Sequence, residues 1–224
     1  MSSEQKSLNS ETQITSGAPK RPGTLYVVSS PSGGGKGTLV DRLLKTIPDL
    51  CFSVSYTTRA PRNGEVNGRE YFFVNRPEFE RMVQADEFLE CAEVHGNLYG
   101  TARQQVIRET AAGRDIVLEV DVQGAASVRK LVLDSVSIFI LPPSFELLRT
   151  RLIARGTDSP AELEVRLRNA PEELKAYKLF DYVIINDDLD RAAAQLAAIV
   201  CAERARRTRQ EAAVQDVVRS FAGE

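Results

Sequence analysis

The sequence predicts an α/β fold: a three-layer sandwich with a parallel central sheet, into which a smaller mixed-β unit is inserted. Three observations lead there. Near-continuous apolar runs of strand length alternate with stretches of helical periodicity, the pattern of strands buried on both faces. A glycine-rich turn, "SSPSGGGKGT" at 29–38, joins the first of these strands to the first helix. From Cys51 to Gly100 the alternation lapses into short strands and glycine turns.

Taken in order, residues 1–22 are polar, rich in Ser and Thr and without an apolar segment, so a disordered tail is expected and not a secretory signal. "TLYVVSS" (24–30) reads as a buried strand, and 36–46 as a helix presenting Leu39, Val40, Leu43 and Leu44. The insertion, assigned to 53–100, carries short strands and one helix in "RPEFERMVQADEF" with proline near its start. "RDIVLEVDV" (114–122), "SVSIFIL" (135–141) and "DYVIIND" (181–187) read as further strands of the parallel sheet. Helices are expected at about 102–112, 124–132, 144–155, 160–176 and 188–208. The turn-rich "RGTDSP" separates two arginine-bearing helices and marks a short helical lid at about 155–165. The main unit then comprises 23–52 and 101–208. The stretch after Cys201 reads as one extended terminal helix, with 209–224 as an extension whose arginines form a solvated face.

Composition narrows the function. A formal net charge of −2 over 224 residues gives no whole-chain electrostatic case for nucleic acid or for a membrane surface. No apolar run approaches the roughly 18 residues of a membrane span. Three cysteines, odd in number and without metal-ligand spacing, suit reduced thiols in a cytoplasmic protein. His95 is the only histidine, so histidine-based catalysis has a single candidate.

A strand running through a glycine-rich turn into a helix aims backbone N–H groups, and the positive end of the helix dipole, into one concavity. Gly33, Gly34 and Gly35 allow close approach to an anion, and Lys36 adds a point charge for phosphates. The alternative is a tight turn with an exposed lysine; the strand before and the helix after favour the phosphate site. The usual pattern G-x-x-x-x-G-K-[ST] is broken twice, by Ser30 and by Gly37. One position along a helix turns a side chain by about 100°, so Thr38 cannot replace a hydroxyl at 37. Mg²⁺ would then be held by phosphates and water, with Thr38 near a phosphate oxygen. The "GKGT" ending resembles that of nucleoside monophosphate kinases such as adenylate kinase. Downstream, Arg59 and Arg62 stand three apart in a Pro/Gly loop, with Tyr71 and Tyr99 following. They either clamp a phosphate through planar arginine forks or remain solvated loop charges.

The run "SxSxTTRxPRxGExxGxxYxF", then "EFLE", "HGNLYGT" and "LEVDVQGA", resembles guanylate kinase, in order from about Thr24 to Arg206. The resemblance implies a P-loop NTPase-like fold whose insertion binds GMP and whose lid closes over ATP. It implies donor-side contacts from Ser30, Pro31, Ser32, Gly33, Gly34, Gly35, Lys36, Gly37 and Thr38, with Asn186 lining the adenine edge. On the acceptor side it implies that Arg59, Arg62, Tyr71 and Tyr99 hold the GMP phosphate, while Ser55, Glu90, Thr101 and Asp121 read the base. Glu119 falls at a Walker B-like position and would organise the magnesium-water shell. Arg151, Arg155 and Arg166 match the lid arginines that join Lys36 and Arg59 around the transferring group. Chemistry supports the base reading independently, because guanine offers N1–H and N2–H₂ as adjacent donors to an acceptor-only carboxylate. The expected reaction is ATP + GMP to ADP + GDP with Mg²⁺ and no general base. Homo-oligomerisation stays open. A non-catalytic scaffold module of the same fold is disfavoured by the intact Lys36, glycines and lid arginines.

Overall fold

In the computed structural model, which describes residues 21–94, 96–156 and 159–222, strand β1 (Leu25–Ser29) lies at the centre of a five-stranded sheet. Its neighbours are β7 (Asp115–Glu119) and β8 (Val136–Leu141), flanked by β2 (Leu50–Phe52) and β9 (Tyr182–Ile185) at the edges. Every pairing is parallel. Successive residues of β1 feed opposite faces, as strand geometry requires. Tyr26 and Val28 join Leu39 and Leu43 of helix α1 (Lys36–Thr46) and Leu196 of α7 (Leu189–Arg204). Leu25 and Val27 join Val106 of α3 (Arg103–Ala111) and Val128 of α4 (Val122–Leu131). This is the three-layer arrangement the apolar runs predict.

A second, mixed sheet has the order β4-β3-β6-β5, formed by β3 (Tyr56–Thr57), β4 (Phe72–Phe73), β5 (Phe88–Val94) and β6 (Asn97–Ala102). Helix α2 (Arg76–Gln84) packs Phe79 and Met82 against Phe88, with the Phe79 and Phe88 rings stacked at 4.5 Å. Asn75 caps α2 by accepting from the Glu78 N–H at 2.8 Å, and Pro77 fits the first turn, where no N–H is needed. The β5–β6 ladder carries a bulge between Phe88 and Glu90. Phe88 enters the core of the second sheet and Leu89 the core beneath the first, as strand alternation directs, and the extra residue shifts the register after them. Glu90 is thereby set opposite Thr101.

Helices α5 (Phe145–Arg155) and α6 (Pro160–Lys175) pack through Leu148, Leu152 and Ala170. Ser159 and Glu162 form a reciprocal capping box at the start of α6. Residues 50–52 form a strand at the edge of the parallel sheet that the sequence reading did not single out. One sequence expectation changes. The terminal helix is broken: α7 ends at Arg204, and α8 (Arg207–Ala222) starts after a two-residue joint. The break lets Arg209 turn inward to Thr24 Oγ1 at 2.7 Å and toward Glu203, which is 2% exposed. A straight helix would carry that side chain past them. The expectation of a disordered tail at 1–22 falls, but for Arg21 and Pro22, outside the described residues.

Asp115, fully buried at the start of β7, accepts from both terminal nitrogens of Arg21, from Arg204 Nε and from the Thr24 N–H, all within 2.8 Å. This knot joins the chain entry, β7 and α7 at one end of the sheet. Glu119 ends the same strand, so the knot sits a strand's length from the residues described next.

Candidate active site

The loop between β1 and α1 takes its shape from two residues of positive φ, Gly33 (83°) and Gly35 (89°), which glycine adopts without strain. A Cβ on Gly35 would lie 2.3 Å from Asn186 Nδ2, so the position also requires glycine for space. Asn186 is 3% exposed; its Nδ2 donates to the Gly34 carbonyl at 3.0 Å, and its Oδ1 has no partner among the described residues. This places Asn186 behind the loop as its brace. Arg151 donates from Nη2 to the Asn186 carbonyl at 2.9 Å. Its buried Nη1 has no partner among the described residues and lies 3.8 Å from where a Gly35 Cβ would be. Ser30 Oγ donates to the Pro31 carbonyl, and Thr38 is exposed on the first turn of α1.

Ser32 is gripped twice by α6. Arg166 Nη1 donates to Ser32 Oγ at 2.7 Å, and Glu173 accepts from the Ser32 N–H at 3.1 Å. The two α6 residues are seven apart, two helical turns on one face. Arg155 ends α5, with its backbone alone described; residues 157 and 158 of the expected lid, and His95, lie outside the described residues.

Lys36 Nζ donates to the Val120 carbonyl at 2.9 Å and stands 3.7 Å from Glu119 Oε1. Both Glu119 oxygens lie 3.7 Å from the position of a Cβ on Gly37. The carboxylate therefore covers the place where the usual pattern puts a hydroxyl. Burial pushes the Tyr71 hydroxyl up from its ordinary pKa, and the charge of Glu119 adds to that. Glu119 thus sits between Lys36 on one side and Tyr71 on the other.

Tyr71 and Tyr99 meet edge to face at 5.9 Å, and the Arg59 guanidinium lies 5.4 Å from the Tyr71 ring centre. Arg59 Nη2 donates to both oxygens of Glu65, at 2.8 and 3.0 Å. Arg59 holds the Glu65 carboxyl below its ordinary pKa, although partial burial opposes this. Glu65 also accepts from the Arg62 N–H at 2.7 Å, while Arg62 itself is exposed. The structure thus gathers Arg59, Tyr71 and Tyr99, and holds Arg62 at the rim.

Glu90, 8% exposed, accepts from Thr101 Oγ1 at 2.7 Å. Asp121 caps α4 by accepting from the Gly124 N–H at 2.8 Å. Burial pushes the Glu90 carboxyl above its ordinary pKa; the hydroxyl of Thr101 offsets this in part, and the charge of Asp121 adds to it. Ser55 lies one residue before β3, and its carbonyl accepts from the Phe72 N–H. Glu65, Glu173 and Gly124 are site neighbours that sequence reading misses. Glu65 had a signal, the "GE" two residues after Arg62 within the arginine motif; the others meet their partners only in three dimensions.

Residues 22–203 match the family model described as guanylate kinase. The chain is 52% identical over 197 residues to a guanylate kinase of Symbiobacterium thermophilum, covering 88% of this chain and 93% of the relative. It is 53% identical over 192 residues to one of Thiobacillus denitrificans, covering 86% and 92%. The crystal structure of guanylate kinase from Anaplasma phagocytophilum superposes with a TM-score of 0.72 at 37% identity, over 85% of this chain and 90% of that one. The phosphate loop, the arginine–tyrosine cluster and the carboxylate pair thus lie within the matched stretch, and the chain belongs to the guanylate kinase family.

Proposed function

We propose that this chain is an ATP:GMP phosphotransferase, moving the terminal phosphoryl group of ATP to GMP to give ADP and GDP. The observation that carries the acceptor is Glu90: a carboxylate 8% exposed, oriented by Thr101 and neighboured by Asp121. Buried carboxylates are costly unless something pairs with them, and guanine's N1–H and N2–H₂ are matched donors. Adenine would present a lone pair at N1 and leave Glu90 unpaired, which is how such sites reject the wrong base.

On this reading residues 53–100 form the GMP-binding unit, 23–52 with 101–208 the main unit, and about 155–165 the lid. Arg59, Tyr71 and Tyr99 hold the acceptor phosphate, with Arg62 joining from the rim and Ser55 from the base side. The acceptor oxygen is already anionic, so no general base is required; positioning and charge stabilisation accomplish the transfer. Lys36 and the amides of the 30–38 loop bind the donor phosphates, and Arg151, Arg155 and Arg166 stabilise the charge that spreads over the transferring group. Gly37 supplies no hydroxyl, whereas Glu119 covers its place. The residues fit a magnesium ion held mostly by phosphate and water, with Glu119 and Thr38 nearby; when bound it would neutralise phosphate charge. Three free thiols support a reducing compartment such as the cytoplasm. Among the described residues no helix is long and apolar enough to cross a membrane.

A coupled assay of ADP release with GMP, AMP, UMP and CMP as acceptors tests the proposal. Turnover should be confined to GMP. Equal rates with AMP, or no ADP release with GMP, would overturn it.

A further inference from the structure

Gly124 has no conformational reason to be glycine. It is buried in the first turn of α4, outside the positive-φ region, and its N–H would donate to Asp121 whatever its side chain. Inside a helix glycine is a poorer choice than alanine. What glycine supplies here is space. A Cβ at 124 would lie 2.9 Å from Glu90 Oε2, 3.2 Å from Asp121 Oδ1 and 3.2 Å from Val120 Cβ. Such a methyl could not retreat, because Val120 is β-branched and 7% exposed on the other side. It would displace the carboxylates. Glu90 is anchored at its other oxygen by Thr101 at 2.7 Å, and Asp121 by the Gly124 N–H, so relief means tilting the Glu90 head off its line.

We propose that Gly124 is a specificity-determining positioning residue, whose missing side chain lets Glu90 and Asp121 share one wall and meet guanine's edge. The inference rests on the reading of Glu90 as the base-recognising carboxylate. The cost of a methyl falls on the far end of a flexible side chain, so the fold tolerates it while the recognition geometry does not. A shift of a fraction of an ångström weakens a charged hydrogen bond, and such a bond accounts for about tenfold in affinity.

The test is Gly124→Ala, with KM measured for GMP, for IMP (the same nucleotide without the 2-amino group) and for ATP, alongside thermal melting. The GMP KM should rise about tenfold and the GMP-over-IMP preference should fall by a similar factor. The ATP KM and the melting temperature should stay in place. An unchanged GMP-over-IMP preference overturns the inference. Glu90→Gln separates the two failures: if it lowers that preference and Gly124→Ala does not, Gly124 is mere helix and the base reading stands. If neither lowers it, the base reading itself falls. Should Gly124→Ala fold poorly, the double variant Val120→Ala/Gly124→Ala gives the methyl somewhere to go and should restore GMP preference; failure to do so also overturns the inference.

Discussion

Acidification should weaken GMP binding earlier than an ordinary carboxylate would dictate. On the proposed reading Glu90 must be ionised to accept from guanine, and its surroundings resist ionisation. Burial is the main cause, Asp121 adds to it, and Thr101 offsets it only in part. Proton and GMP then compete for one carboxylate. The GMP KM is flat where Glu90 is ionised and rises about tenfold per pH unit below its pKa. Because that pKa is raised, the rise begins above the usual glutamate range. The phosphate of GMP also gains a proton, near a pKa of about 6, so the wild-type profile mixes two titrations. Glu90→Gln separates them, since an amide cannot titrate and only the phosphate limb should remain. At neutral pH the same change leaves one guanine donor unpaired, at a cost of about 1–3 kcal/mol.

Stability should move the other way. A carboxyl with a raised folded pKa holds its proton more tightly folded than unfolded. At neutral pH its charge therefore opposes folding, and that cost fades as pH falls through the folded pKa. Glu90→Gln removes the charge while Thr101 can still donate to the amide carbonyl. It should melt no lower than the parent while binding GMP worse. Calorimetric GMP titrations from slightly alkaline pH down to the acid limit of the folded state, with melts of both proteins, check this. Parallel profiles for the two, offset by a constant factor, would refute the role of the Glu90 charge.

Lys36→Met should lower turnover by on the order of 10²–10³-fold, with melting little changed, since it gives up one part-buried hydrogen bond to the Val120 carbonyl and a partly exposed 3.7 Å contact to Glu119; steady-state rates beside a melting curve decide it. Arg59→Lys loses the planar guanidinium whose Nη2 reaches both Glu65 oxygens and should raise the GMP KM roughly tenfold; IMP should suffer equally, since only the phosphate is affected. Asp115→Ala strands Arg21, Arg204 and the Thr24 N–H, and should cost about 3–5 kcal/mol of stability, readable by denaturant titration, with the GMP KM unmoved. Burial pushes Asp115 up, but its hydrogen bonds outweigh that and hold its pKa low. The contribution is present above its unfolded pKa and is lost as pH falls through the folded one, so the difference between parent and variant should shrink in acid.

The central sheet was legible because doubly covered strands announce themselves as unbroken apolar runs, and helix 36–46 follows from its apolar face and glycine turn. Other features depend on contacts that no local window contains. Glu173 reads as one more helical surface carboxylate; its partner Ser32 is 141 residues away. The break after Arg204 depends on Arg209 finding Thr24, 185 residues distant, and helical periodicity carries no trace of it. The bulge at Leu89 is hidden for another reason. "EFLE" suggests simple alternation, which does send Phe88 and Leu89 to different cores, but the inserted residue that sets Glu90 opposite Thr101 leaves no mark in the pattern.

The arrangement of carboxylates bears on a difficulty that any phosphoryl-transfer site faces before its substrates arrive. On the proposed reading Lys36, Arg59, Arg151 and Arg166 are cations that converge on phosphates, and in an empty site their mutual repulsion should force the pocket open. Here acidic groups stand among them. Glu65 pairs with Arg59 Nη2, Glu119 stands 3.7 Å from Lys36, and Glu173 takes the Ser32 N–H beside the contact from Arg166. Arg151 is the exception: it leans on the Asn186 carbonyl, with Nη1 unengaged among the described residues. A phosphate arriving at Arg59 thus meets a cation already paired, and it must share with Glu65 or displace it. That exchange favours a dianion over a monoanion, because only the second negative charge improves on what Glu65 already provides. On that reading the local carboxylates would keep the empty site cohesive and favour a fully ionised phosphate.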